Sequence, residues 1–299
     1  MTVKRKRSKK RYTKLQKKEM LTGFLLALPA IAGMLVFFLI PFGVAIFISF
    51  TSGVGTSDFV GLRNYLSMLQ NSAFQLAAGN TAKFIGVAVP LIMVISLLIA
   101  LLLYQKLKGY DFFRTVFIFP LVLPVASVVL LFQLVFDVNG AFNSLLMATG
   151  LPIDDWLNSS NAFFVLVLLY VWKNTGYNIV LFLAALNSIP KDFYEAATVD
   201  GASGRNKLFS ITLPLIVPYL FFILIMSVIN SFKSFREAYI LCGDHPNASI
   251  YMLQHFMNNN FENLNYLRLS TAAILVFLVI FILVFILLRV RRKSGGVGL

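Results

Sequence analysis

Charge is what this sequence has least of. Only 13% of its 299 residues are charged while 59% are hydrophobic, against roughly 25% charged in a soluble domain. A water-soluble globule is excluded. Acidic residues are scarcer still, with 12 Asp and Glu against 26 Lys and Arg and a net charge of +14. That excess raises nucleic acid as a partner, yet the cations lie in blocks between long uncharged runs, which suits a membrane rather than a basic groove. With Cys242 as its one cysteine the chain forms no internal disulfide and no cysteine metal cluster, and the thiol reads as structural. His245 and His255 have no Cys or carboxylate at ligand spacing, so no metal site is expected. No G-x-x-x-x-G-K-[ST] phosphate loop, H-E-x-x-H or G-x-S-x-G element occurs. Nucleotide chemistry has no carrier in this chain.

What is present is apolar length. Crossing a bilayer takes about 20 apolar residues in a helix, because every backbone N–H and C=O must be paired within the segment. Six stretches qualify: Leu21 to Phe50, Ala82 to Tyr104, Phe113 to Phe136, Ala162 to Leu186, Leu213 to Asn230, and Ser270 to Leu288. The expected fold class is an all-α membrane protein with about six transmembrane helices. The first run is too long for a signal core and no A-x-A-like site closes it. It is expected to stay as an anchor.

Lys and Arg near the spans mark the cytoplasmic side. Ten fall within Met1 to Lys18, followed by Lys106, Lys108 and Arg114, then Lys191, Arg205 and Lys207, then Arg289, Arg291, Arg292 and Lys293. These are alternate compartments, so both termini are expected in the cytoplasm of a bacterial-type cell membrane. The third connection is acidic through Asp137, Asp154 and Asp155, as an outer loop allows. Residues 1–20 read as a basic cytoplasmic tail, disordered or lying along anionic headgroups, residues 21–293 as the six-helix membrane domain, and residues 294–299 as a C-terminal tail.

Prolines within the spans remove helical hydrogen bonds and kink the rods. Pro41, Pro90, Pro120, Pro124 and Pro218 are so placed, as a bundle that encloses a cavity and moves would need. The loop over residues 187–214 looks the most structured. Asn187 and Ser188 are capping types, Pro190 suits a first turn, and Asp192 and Glu195 suit a helix N-terminus. A short helix through Phe193, Ala196 and Ala197 is expected to end at Asp200-Gly201, with Ser203 capping a second through Phe209 before Leu213-Pro214 opens the fifth span. Paired small residues there admit the close approach of a partner backbone.

Glu195-Ala196-Ala197, Gly201, Ile211 and Leu213-Pro214 keep the spacing E-A-A-x3-G-x9-I-x-L-P, which resembles the EAA loop of binding-protein-dependent ABC importer permeases of the carbohydrate-uptake class. Further elements in the expected order are similar to that family's: Phe59 to Tyr65 as F-x-G-L-x-N-Y, Asn80-Thr81, and Gly140 to Asn143 as G-x-x-N. Cys242 to Pro246 departs from the glycine-rich T-G-G-G-P of many relatives. The resemblance implies a type I importer permease fold, a second homologous permease subunit, two ATPase subunits and an extracytoplasmic sugar-binding protein. It also implies that Glu195, Ala196, Ala197, Asp200, Gly201 and Ala202 couple to an ATPase, and that ATP and Mg are held by that partner, with no cofactor on this chain.

Lys173 lies near the middle of the fourth span, where a cation costs several kcal/mol unless it faces water or a partner. Tyr170, Lys173, Asn174 and Tyr177 share a helical face, with Asn178 beside them. Rings and hydrogen-bonding groups suit a sugar, while packing between helices is the other use open to such a face. Asn230 and Lys233, with Ser231 and Ser234, form a second candidate patch. Asp244, Asn247, Asn258, Asn259, Asn260 and Glu262 are expected on the surface that meets the binding protein. A secondary transporter or channel is the competing class. No Asp or Glu is expected deep within the six spans, which disfavours ion coupling.

Overall fold

The computed structural model describes residues 13–53, 55, 58–105 and 109–293. Most of the expected basic tail, Lys106, Lys108 and residues 294–299 lie outside the described residues. Among the described residues, six helices are long and apolar enough to cross a membrane. The elements run α1 (Lys14–Met34), α2 (Ile40–Ser49), α3 (Arg63–Leu69), α4 (Ser72–Tyr104), α5 (Tyr110–Val122), α6 (Val125–Phe136), α7 (Ala141–Ala148), α8 (Ala162–Asn187), α9 (Asp192–Val199), α10 (Gly204–Lys207), α11 (Leu213–Phe232), α12 (Phe235–Cys242), α13 (Leu253–Glu262) and α14 (Tyr266–Lys293).

The first helix begins inside the expected tail. Thr13 caps it, its hydroxyl accepting from the Gln16 N–H at 3.3 Å while the Gln16 side chain accepts from the Thr13 N–H at 3.0 Å. A π-helical segment, Leu35–Leu39, joins α1 to α2, and a second, Leu208–Thr212, joins α10 to α11. Each ends two residues before a proline, Pro41 or Pro214. A proline supplies no N–H to the carbonyl four residues back and its ring crowds that carbonyl. Widening the turn to an i+5 bond, as from Ile40 N–H to Leu35 O and from Leu213 N–H to Leu208 O, keeps the rod going past it.

The third hydrophobic run departs from the expected single helix. Leu123 and Pro124 are extended, with ψ of 139° and 135°, because the residue before a proline is pushed out of the helical region. The run therefore divides into α5 and α6, and the apolar stretch continues into α7.

The hub is α8, 61% of whose most apolar window is buried, against at most 28% for the other candidate spans. It shares one cluster with α4 and α12 through Phe84, Leu166, Tyr170 and Ala238, another with α4 and α11 through Leu103, Phe182, Ile216 and Ile223, and a third with α6 and α12 through Val129, Phe132, Leu169 and Leu241. At Gly176 the α5 backbone comes so close that an added Cβ would collide with the Phe117 carbonyl oxygen. By contrast, most of the large apolar side chains of α1 and α2 are exposed, as are many along the outer face of α14. Those faces suit lipid or another helix.

The elements similar to family motifs at the loop ends are backbone clamps. Asn64 donates to the carbonyls of Ser49 at 3.0 Å and Thr51 at 2.8 Å, and Gly61 turns the chain into α3 at φ +59°. Asn80 bonds the Ala248 and Tyr251 carbonyls, while the Thr81 hydroxyl accepts from the Leu253 N–H at 3.0 Å. Asn143, 2% exposed, donates to the carbonyls of Asp137, Val138 and Asp154 and accepts from the indole N–H of Trp156. Gly140 packs where a Cβ would meet three carbonyl oxygens within 2.9 Å. The three asparagines donate to loop carbonyls and Thr81 accepts from a loop N–H, which gives these backbone groups partners.

Candidate functional site

A cavity of about 520 Å³ opens between α8, the α5–α6 break and the turn from α11 to α12. That is within the range of small-molecule sites, ~300–1,000 Å³. Tyr170, Lys173, Asn174 and Tyr177 line one wall, as helical spacing groups them, and Asn230 and Lys233 line the other. Asn178 does not join them. It is buried and donates to the Ser227 hydroxyl at 2.9 Å, so it ties α8 to α11. The Tyr170 hydroxyl donates to the Ser227 carbonyl at 3.1 Å, its ring packs edge-on against Phe84, and only part of it borders the cavity.

Lys173 has the partner its depth requires. Its Nζ lies 2.6 Å from Glu237 Oε1, with the two side chains 10% and 8% exposed. This corrects the expectation of no deep carboxylate. Hydropathy ends the fifth span at Asn230, but α11 runs to Phe232 and turns at Lys233-Ser234 into α12. There α12 packs against α6 and α8, and Glu237 meets Lys173. The competing coupled-transport reading gains no isolated intramembrane carboxylate from it, because Glu237 is held in an ion pair with Lys173. Glu237 Oε2 is buried without a hydrogen-bond partner. Arg236, Ser234, Leu121, Val125 and Met226 complete the lining. Of these the sequence singles out only Ser234. One signal was available: a buried lysine demands a carboxylate, and Glu237 lies only seven residues beyond Asn230.

The second feature is the helix pair before α11. Asn187 and Ser188 do not cap it. Asn187 is the last residue of α8 and Ser188 its C-cap, while α9 starts after Lys191 without a side-chain cap but with Asp192 and Glu195 in its first turn. At the other end Gly201 has φ +74°. Its N–H bonds the Thr198 carbonyl at 3.1 Å, and the Ala202 N–H bonds the Ala197 carbonyl at 2.8 Å, which is a Schellman stop. Ser203 caps α10 by accepting from Asn206 N–H at 3.3 Å. The expected second short helix is not separate, because α10 runs through the π-helical segment into α11.

Two side-chain bonds fasten the pair: Tyr194 to the Thr212 hydroxyl at 2.9 Å and Lys207 to the Thr198 hydroxyl at 2.8 Å. Ile189 and Tyr194 root it in the cluster of α4, α8 and α11. Glu195, Ala196, Asp200 and Gly201 remain exposed, Ala197 and Ala202 half-buried, and Val199 is 88% exposed. A firmly held element thus presents an uncovered face.

Membrane-length helices around a polar cavity, one of them continuous with an exposed helix pair, describe the membrane part of a transporter. The family model for the "binding-protein-dependent transport system inner membrane component" matches residues 92–293, and the chain belongs to that family. It is 33% identical over 285 residues to the trehalose/maltose transport system permease protein MalF of Thermococcus litoralis, covering 94% of this chain and 97% of that protein. It is also 33% identical to the arabinooligosaccharides transport system permease protein AraP of Bacillus subtilis, over 76% of this chain and 74% of that one.

Among solved structures, a bacterial alginate ABC transporter in complex with an alginate pentasaccharide-bound periplasmic protein matches with TM-score 0.82 and 21% identity, over 95% of this chain and 98% of that chain. The MetNI methionine ABC transporter matches with TM-score 0.57 and 15% identity, over 78% and 99%. At these identities the likeness is one of fold. The chain is accordingly a multi-pass membrane protein, the permease component of an ABC importer, and ATP hydrolysis belongs to a separate partner chain. Importers of this family work with a partner permease, an ATPase and a binding protein.

Proposed function

We propose that this chain is one of two homologous permease halves of an ATP-driven oligosaccharide importer, and that α9–α10 is the lever through which an ATPase moves it. The observation that carries this reading is continuity. The exposed helix pair passes through Leu208–Thr212 into α11, and α11 supplies Met226 and Asn230 to the cavity wall. A push on the pair is therefore a displacement of the wall. Two ATPase subunits hold ATP and Mg, with Glu195, Ala196, Ala197, Asp200, Gly201 and Ala202 in contact with one of them. ATP shifts the permease only by binding one of its conformations better than the other.

Both termini lie in the cytoplasm, and a sugar-binding protein delivers solute from outside. Tyr170, Lys173, Asn174, Tyr177, Asn230 and Lys233 line the path. The carbohydrate substrate is supported by the maltose and arabinooligosaccharide permeases among the relatives. A cysteine at position 196 paired with one on the ATPase is expected to crosslink in the assembled complex, and the crosslink to stop uptake until it is reduced. No crosslink in a complex that still transports would remove the lever.

A further inference from the structure

The cavity has an imbalance that a neutral sugar does not use. Three cations border it, Lys173, Lys233 and Arg236, against one carboxylate, Glu237. Lys173 and Glu237 pair at 2.6 Å through Glu237 Oε1. Lys233 and Arg236 are exposed, and among the described residues no acidic group lies within ion-pair distance of either. They sit on one turn, the Arg236 N–H bonding the Lys233 carbonyl at 3.5 Å, and both line the same cavity, so two like charges border one cleft whose low-dielectric walls concentrate their field. An anion between them removes that repulsion. The Arg236 guanidinium offers it two parallel donors, the geometry that carboxylate and phosphate oxygens match.

We propose that the transported solute is an anionic sugar, its carboxylate or phosphate held by Lys233 and Arg236 while its ring and hydroxyls meet Tyr177 and Asn174. This inference rests on the importer reading and narrows it. Snorkelling of the two cations to lipid headgroups is the competing use, and it requires no difference between acidic and neutral solutes.

The test uses the purified assembly of this chain with its partner permease and ATPase, without the binding protein, so that the binding protein's own selectivity does not enter. Affinities are measured for maltotriose, phosphorylated maltotriose and trigalacturonate. At least one acidic sugar is expected to bind ten or more times tighter than maltotriose, equivalent to about 1.4 kcal/mol. Added salt should weaken the acidic sugar and leave maltotriose unchanged. Lys233→Gln with Arg236→Gln, both at exposed positions, should erase the preference in an intact complex. Equal or tighter binding of maltotriose, binding of none of the three, or a preference that survives the double substitution would overturn the proposal. Failure of the importer reading has its own signature, since no ATPase chain would then copurify.

Discussion

The exposed helix pair and the central cavity are built in opposite ways. In the pair, the contacts that shape the turn join residues close in the chain, the Schellman stop at Gly201, the Ser203 cap and Lys207 on Thr198 only nine residues apart, while Tyr194 on Thr212 and the packing of Ile189 tie it to the bundle. The cavity joins residues far apart, Lys173 with Glu237 across 64 positions and Tyr170 with Ser227 across 57. Local contacts make an element that keeps its shape while its outer face stays uncovered, as a coupling surface needs. Distant contacts make a wall whose parts belong to different helices and can separate.

That contrast breaks most readily at the ion pair. Glu237→Leu leaves the Lys173 ammonium buried and unpaired, and a loss of about 3–5 kcal/mol is expected, read as reduced yield and a lower melting temperature in detergent. Adding Lys173→Met is expected to recover most of it. An unaffected single variant would show that the cavity does not depend on the pair. The close approach of α5 and α8 comes next. Gly176→Ala places a methyl against the Phe117 carbonyl and is expected to cost about 2–3 kcal/mol as the helices part, with loss of assembled complex as the readout.

His255 sharpens the same contrast through pH. Its position in a polar outer connection suggests a surface residue facing a binding protein, but it is fully buried, and its Nδ1 accepts from the Met252 N–H at 3.2 Å. Burial lowers its pKa from 6.5 to about 4, although the Asp244 carboxylate pulls the other way. The unfolded chain takes up the proton near 6.5 and the folded one only near 4. Stability is therefore complete above pH 6.5 and declines as the pH falls toward 4, by about 2 kcal/mol at pH 5. Melting curves at pH 7 and pH 5 check this, and His255→Gln is expected to flatten the difference.

In the helix pair the effect on stability is the smallest. Gly201 has open space around it but φ +74°, so Gly201→Val is expected to cost about 1–2 kcal/mol of local strain and to spare assembly. Uptake would fall while ATP hydrolysis continued. An uptake rate equal to the parent's would separate the turn from coupling.

Legibility in the sequence divides along the same line. The helix stop at Asp200-Gly201, the Ser203 cap, the shared face of Tyr170, Lys173, Asn174 and Tyr177, and six helices of membrane length among the described residues are local or periodic properties, and the structure has them, with the third run divided at Pro124. Asn178 groups with that face on spacing because helical periodicity alone does not tell a cavity from a neighbouring helix; the Ser227 hydroxyl on α11 decides it. Asn187 is a capping type that could open α9, yet it closes α8, its side-chain amide donating back to the Leu183 carbonyl at 2.7 Å.

By itself the sequence determined the solvent, the number of long helices and the shape of the exposed pair, because hydropathy, proline and glycine act within a few residues of themselves. Only the tertiary structure decided that α12 folds back, that Glu237 pairs with Lys173, and that Lys233 and Arg236 border the cavity with no acidic group among the described residues within ion-pair distance. Those outcomes depend on which helices come together in three dimensions. Burial makes an unpaired charge expensive enough to select the arrangement, and no spacing along the chain records which partner will be found.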